Sequence, residues 1–322
     1  MSDHFHALKP NHQIEDYEIR NVLGAGGFGL TYLGHDINLD KPVAIKEYLP
    51  ADLAVRDENN SVLPKSSSSK DDFTWGLERF LDEARLLAKF NHKNIVSVHR
   101  FFEAHGTAYI VMEFIDGLTL SDLLKQEKKL SYDKLKSIID PIMSGLDVVH
   151  KGDFLHRDIK PGNIIIRKDG KPVLIDFGAA RQAVGARSRS VTAIVTPGYA
   201  PIEQYDTSGN QGPWTDIYAL GAICYRAITG NRPSDATGRI KRDPLVALMN
   251  SHIPKKLGYP DHVLQAIDKA LAVDEEDRPQ SISQWRSMLA GDMPIEASMP
   301  APVDEMAKTC LLYTSPSPRD RG

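Results

Sequence analysis

Residues 154–163 read FLHRDIKPGN, and this stretch decides the fold. It sets His156, Arg157, Asp158 and Lys160 almost side by side and ends on the amide of Asn163. A solvated turn accounts for the charges. It does not account for the apolar flanks, VVHKGDFL before and IIIR after. Such a loop lies at the edge of a core, where an unpartnered charge is costly and ionisable groups gather for chemistry.

Working outward, residues 17–35, YEIRNVLGAGGFGLTYLGH, read as strand, glycine turn, strand, and KPVAIKEYL reads as a third strand. Residues 50–70 carry Pro50, Pro64 and four consecutive serines at 66–69, which marks a long surface insertion. From residue 71, DDFTWGLERFLDEARLLAKF has helical apolar spacing with acidic residues at its start. NIVSVHRFFEAHGTAYIVMEFI supplies two further strands around a turn at residues 105–106. Beyond Gly117 the pattern is helical, in LKSIIDPIMSGLDVVHKG, WTDIYALGAICYRAITG and HVLQAIDKALAV. Five strands with one helix, then a mostly helical half, predict an α+β chain of two unequal lobes joined near residues 113–117.

GAGGFG places glycines at 24, 26 and 29. The pattern is common to dinucleotide-binding turns and to ordinary glycine loops. Strands on both sides argue against the dinucleotide fold, which needs a helix after the turn. A glycine hairpin suits a flap whose backbone N–H groups approach phosphate oxygens. A plain turn remains the alternative. Lys46 ends VAIK on the third strand, and the apolar residues before it point it inward toward an anion. A nucleotide phosphate and a carboxylate of the following helix are the two candidates. Glu83 is the preferred carboxylate, ahead of Glu78 and Asp82.

VAIK, HRDIKPGN at 156–163 and DFG at 176–178 stand in the order of the protein-kinase signature set. Over residues 17–290 the chain resembles a bacterial Hanks-type serine/threonine protein kinase. VAIKEYLP, GTAYIVMEF and TPGYAPIEQY…GPWTDIYALGA are similar to a proteobacterial subgroup. The resemblance implies a two-lobed kinase fold, with a small antiparallel β lobe carrying one helix and a larger, mostly helical lobe. It also implies ATP as phosphoryl donor, magnesium with manganese as an alternative, and serine and threonine hydroxyls of proteins as acceptors.

By the same resemblance, Asp158 is the catalytic aspartate, Asn163 and Asp176 are the metal ligands, and Lys46 with Glu83 holds the phosphates. Lys160 lies where it stabilises the transferring group. The glycine flap comprises Gly24, Gly26, Gly27, Phe28 and Gly29. Leu23, Ala44 and Ile165 sandwich the adenine, Met112 guards the pocket, and the backbone of Glu113 and Ile115 binds the base. His156 and Phe177 are packing residues. Two positions depart from the family pattern: Thr31 replaces a valine over the base, and Ile202 replaces the proline before Glu203. Glu203 is expected to pair with Arg278, and Asp216 to anchor the catalytic loop.

Between residues 178 and 203, hydroxyls alternate with arginines. A mobile basic loop explains this, and so does an activation segment whose phosphate is held by Arg157. Thr192 is the first candidate for autophosphorylation and Ser190 the second, whereas Thr196 is placed against Asp158 and Lys160. The intact lysine and aspartates argue against a nucleotide-gated scaffold, and the segment at 196–203 argues against a small-molecule phosphotransferase.

A net charge of −4 points to no nucleic-acid partner. Cys224 and Cys310 are the two cysteines, too few for a disulfide framework, so a reducing compartment, the cytoplasm for the kinase domain, is the expectation. The expected organisation is an N-terminal extension at 1–16, a kinase domain at 17–292 (lobes 17–115 and 116–292) and a linker at 293–309. CLLYTSPSPRDRG at 310–322 resembles the translation of a sequencing adapter, so the native chain is expected to continue past residue 309. Membrane attachment is then left to that missing region, and dimerisation through the small lobe stays open.

Overall fold

The structure is a computed structural model that describes residues 6–177, 195–206 and 208–293. Its first lobe is an antiparallel sheet built from β1 (Gln13–Ile14), β2 (Tyr17–Gly26), β3 (Gly29–Asp36) and β4 (Lys41–Tyr48). β7 (Val98–Ala104) and β8 (Thr107–Glu113) complete it, in the order β1-β2-β3-β4-β8-β7. Along β4, Val43, Ile45 and Glu47 are buried while Ala44 and Lys46 keep partial exposure. That is the two-residue period of a strand, and it turns Lys46 into the interlobe cleft and Glu47 toward the opposite face.

The opposite face is covered by two segments. Ile14 on β1 is buried with Leu8, whose N–H donates to the Tyr32 hydroxyl at 3.2 Å. Residues 50–70 supply the second cover and correct the expectation of a surface insertion. They form a hairpin, β5 (Ala54–Arg56) and β6 (Val62–Pro64), with Ala54 and Val62 in the small-lobe core. What drives the burial is Glu47. It cannot sit inside a lobe unpaired, and Arg56 Nη2 meets its Oε2 at 2.5 Å while Tyr32 Oη donates to the same oxygen at 2.8 Å. The small lobe therefore has six strands in its main sheet and a separate hairpin, where the sequence pattern shows five strands.

The helix α1 (Ser67–Leu87) starts four residues earlier than its periodicity suggests, inside the serine run. Ser66 is its N-cap and accepts from Ser69 N at 3.2 Å, the preferred use of serine at a helix start. Phe73, Phe80, Glu83, Ala84 and Leu87 share its buried face.

The second lobe begins at β9 (Gly117–Thr119), which joins β10 (Ile164–Arg167) and β11 (Pro172–Leu174) in a small sheet. α2 (Leu120–Glu127), α3 (Tyr132–Lys151), α4 (Pro213–Thr229), α5 (Ala236–Arg239), α6 (Ile253–Lys256), α7 (Asp261–Ala270) and α8 (Ile282–Ala290) make up the rest of the described lobe. Its core centres on Ile142, Leu146, Ile217, Leu220, Ile267 and Trp285. The chain passes between lobes over residues 113–117, as the sequence pattern predicts. Gly117 is required there, because a Cβ would lie 2.2 Å from Ile166 O.

Candidate active site

The loop 154–163 is held from below by one carboxylate. Asp216, buried on α4, accepts from His156 N at 2.9 Å, from Arg157 N at 2.8 Å and from His150 Nε2 at 2.8 Å. Its carboxyl titrates below the usual range: burial alone would raise it, and the contacts with His150 and His156 together more than reverse that. Arg157 has a left-handed backbone, φ 65°, a conformation costing about 1–3 kcal/mol for a non-glycine residue unless its surroundings impose it. Asp216 on its N–H and Gln204, whose Nε2 donates to its O at 2.7 Å, impose it here. Asp176 in the same site shares that conformation, φ 60°.

His156 is fully buried and locks the loop to the DFG segment. Its Nε2 donates to Ile175 O at 3.0 Å, its Nδ1 accepts from Asp158 N at 3.2 Å, and its ring lies 4.3 Å from that of Phe177. Burial lowers its pKa, and the hydrogen bonds need the neutral ring with the proton on Nε2.

Asp158 stands above this base. Its Oδ2 accepts from Lys160 Nζ at 2.7 Å and Asn163 Nδ2 at 3.1 Å, and its Oδ1 from Thr196 Oγ1 at 2.9 Å. Lys46 Nζ lies 2.6 Å from Asp176 Oδ1 and 3.5 Å from Glu83 Oε1. Burial would lower the Lys46 pKa, but Asp176 and then Glu83 outweigh it and hold it above the ordinary lysine value. Glu83 thus meets Lys46, while its rival Asp82 pairs with Arg79 and Arg85.

Lys46, Glu83, Asp158, Lys160, Asn163 and Asp176 line one cavity of about 360 Å³ together with Gly24, Gly26, Gly27, Phe28, Gly29 and Thr31. The glycines are of two kinds. At Gly29 a Cβ would collide with Glu47 O at 1.9 Å, so the sheet itself demands glycine. At 24, 26 and 27 a Cβ would meet no protein atom within 4 Å, and none of the three has a positive φ. The fold leaves their identity unexplained, and close approach of a ligand to bare backbone explains it.

Leu23, Ala44, Met112, Glu113, Ile115 and Ile165 lie outside that lining. Ala44 pairs with Met112 across β4 and β8, Ile115 is buried at the hinge, and Ile165 pairs with Thr119. Leu23 is 46% exposed, and the Glu113 carboxylate takes Arg167 Nη2 at 2.9 Å. Tyr48 and Phe80 line the cavity and were missed in the sequence. Both had a signal. Tyr48 is one strand period beyond Lys46, and Phe80 is three residues before Glu83 on the same helical face.

Glu203 and Arg278 form the expected pair, Nη1 to Oε1 at 2.7 Å and Nη2 to Oε2 at 3.2 Å, with Thr215 Oγ1 donating to Oε1. Thr192 and Ser190 lie outside the described residues. Among the described residues, no three His, Cys, Asp or Glu side chains form an all-protein metal cage. Asn163 and Asp176 offer hard oxygens, a donor set that suits a magnesium-type cation keeping water and phosphate in its shell. The described hydrogen bonds of the Asn163 amide all use Nδ2, which leaves Oδ1 for such a cation.

The family described as Protein kinase domain matches residues 17–289. The chain is 34% identical over 230 residues to the serine/threonine-protein kinase PknA of Nostoc sp., covering 68% of this chain and 38% of that protein. It is 30% identical to PknL of Mycobacterium tuberculosis (80% of this chain, 59% of that protein) and 31% identical to PknB of Mycobacterium leprae (94% and 47%). The chain thus spans about half the length of these relatives. A solved structure described as "PpkA-294 apo form" superposes with a TM-score of 0.80 at 38% identity, over 88% of this chain and 99% of that one. The kinase domain of Mycobacterium tuberculosis PknI shares the fold at 21% identity, TM-score 0.64, over 88% and 98%. With the cavity, the paired lobes and these matches in agreement, the chain belongs to the protein kinase family, alongside bacterial serine/threonine-protein kinases.

Proposed function

We propose that this chain transfers the γ-phosphoryl group of ATP to serine and threonine hydroxyls of proteins. The observation that carries the reading is the convergence of Lys46, Asp158, Lys160, Asn163 and Asp176 on one cavity under a glycine flap. Phosphoryl transfer passes through a loose transition state, so positioning and charge neutralisation supply most of the catalysis. The acceptor oxygen forms a bond to the γ-phosphorus, the bond to the β-phosphate oxygen breaks, and ADP leaves. The hydroxyl proton passes to the Asp158 carboxylate. Thr196 Oγ1, 2.9 Å from Asp158 Oδ1, supports this role by placing a hydroxyl at that distance. Lys160, on the other Asp158 oxygen, is within reach of the transferring group, and Lys46 binds the remaining phosphates.

Asn163 and Asp176 would hold magnesium in preference to manganese, and the cation would neutralise charge on the phosphates. The apolar wall of Leu23, Ala44 and Ile165, with Met112 behind and the 113–115 backbone beside it, would take the adenine.

Autophosphorylation at Thr192, or else Ser190, is part of the proposal. Arg157 supports it: its Nε is buried without a hydrogen-bond partner among the described residues, and desolvation lowers its pKa, a setting that favours a phosphate nearby. Among the described residues no helix is long and apolar enough to cross a membrane.

The test is transfer of radiolabel from ATP with magnesium to the chain or to a basic protein. The Asp158→Asn variant should lose about 10²–10⁴-fold in rate, the scale of a general base. An undiminished variant, or a parent that binds ATP but transfers nothing, sinks the reading.

A further inference from the structure

The segment after Lys46 is tied to the glycine flap from the side. Ala51 N donates to Gly27 O at 3.0 Å and Leu49 N to Phe28 O at 3.2 Å, so two amides hold the two residues at the flap's tip. The flap's own pairing ends at Gly26 with Gly29, and a Cβ on residue 26 or 27 would find no protein atom within 4 Å, so these two amides are the ties that reach the tip from outside the hairpin.

The turn carrying those amides is itself anchored. Leu53 N donates to Pro50 O at 3.0 Å, and Lys65 grips both sides of the turn, its Nζ on Ala51 O at 2.5 Å and its N on Leu53 O at 2.9 Å. Arg56 fixes the hairpin to β4 through the buried Glu47, and its Nε donates to His6 O at 2.8 Å. Two more bonds join the assembly to neighbouring elements: Val62 N to His105 O at 2.7 Å, and Tyr48 Oη to Phe73 O on α1 at 3.3 Å. A well-anchored turn bonded from the side to the tip of a hairpin is the geometry of a strut.

We infer that residues 49–65 are a positioning strut for nucleotide binding, with the Ala51 amide fixing the height of the flap over the phosphates. Ala51 is a positioning residue, acting through the Gly27 carbonyl, and its exposed side chain takes no part. A flap already held at working height binds ATP without first losing its conformational freedom. Releasing the tip therefore weakens nucleotide binding and leaves the chemical step, set by Asp158 and Lys160, almost untouched. The inference rests on the kinase reading above.

Ala51→Pro is the deciding variant. Ala51 occupies the second position of the turn closed by Leu53 N, where proline is favoured, so the substitution removes the amide donor while suiting the turn. A net hydrogen bond corresponds to a factor of roughly 2–10 in affinity. Ala51→Pro should bind the non-hydrolysable imido analogue of ATP, with magnesium, three- to ten-fold more weakly by about that measure. KM for ATP should rise by the same factor, with kcat changed less than about twofold. Ala51→Gly keeps the N–H and should bind like the parent. Lys65→Met, exposed and remote from the cavity, should weaken binding by a smaller factor, and it decides the matter if Ala51→Pro fails to fold.

Parental affinity in both Ala51→Pro and Lys65→Met overturns the strut. So does an equal loss in Ala51→Gly, because a loosened turn rather than the amide would then be responsible. A parent that does not bind the analogue overturns the kinase reading and the strut together. A parent that binds while the variants match it overturns the strut alone.

Discussion

At the scale of single residues, His156 shows how a side chain with no direct part in transfer controls the site. Protonating its Nδ1 would set a donor against the Asp158 amide, which already donates to that nitrogen. Burial lowers its pKa from 6.5. A depressed folded-state value means that its contribution to stability is complete above 6.5 and is lost as pH falls through the lower folded value. His12, His92 and His99 are lowered by burial too and add to the same slope. Urea midpoints measured between pH 7.5 and 5 should therefore fall with acidity. His156→Phe should start from a lower midpoint and fall less steeply. A slope identical to the parent's would mean that His156 does not titrate in this window. His156 was legible as a packing residue because the motif around it fixes its neighbours. Its tautomer was not, because Ile175 and Asp158 reach it only through the fold.

Elements differ in how openly they announce themselves. β4 and α1 carry their periods in the sequence, and Lys46 and Glu83 could be placed on facing sides before any coordinate was known. The start of α1 was hidden because serine favours both turns and caps, and only the Ser69 amide on Ser66 Oγ decides between them. Ser66→Ala should cost about 1 kcal/mol and lower Tm by about 2–4 °C, measurable by calorimetry; no shift would mean that the serine run caps nothing. The 54–64 hairpin was illegible for another reason. Ala54 and Val62 sit in apolar runs of only three and two residues, LAV at 53–55 and VL at 62–63, too short to show a period, and what buries them is a sheet face, with Glu47 on it, that belongs to other parts of the chain. The same holds for Leu8, whose partner Tyr32 lies on β3.

Across the whole molecule, two hydrophobic cores meet at a cleft, and each catalytic candidate comes from a segment anchored in one of them. The order of motifs along the chain made the cleft legible, and partners distant in sequence completed it. Among the described residues, the buried pair of Glu203 and Arg278 joins positions 75 residues apart at the base of the second lobe. Arg278→Ala leaves the Glu203 carboxylate buried without its cation and should cost about 3–5 kcal/mol, read as a loss of unfolding free energy in urea; a loss under about 1 kcal/mol would show the pair to be incidental. The pair also sets an order of events during synthesis. Glu203 leaves the ribosome 75 residues ahead of Arg278, an interval of roughly 4–15 s at bacterial elongation rates. Until Arg278 follows, burying the carboxylate is costly, so the segment before α4 is disfavoured from closing onto the lobe, and a nascent chain paused in that interval carries an open surface for chaperones to find.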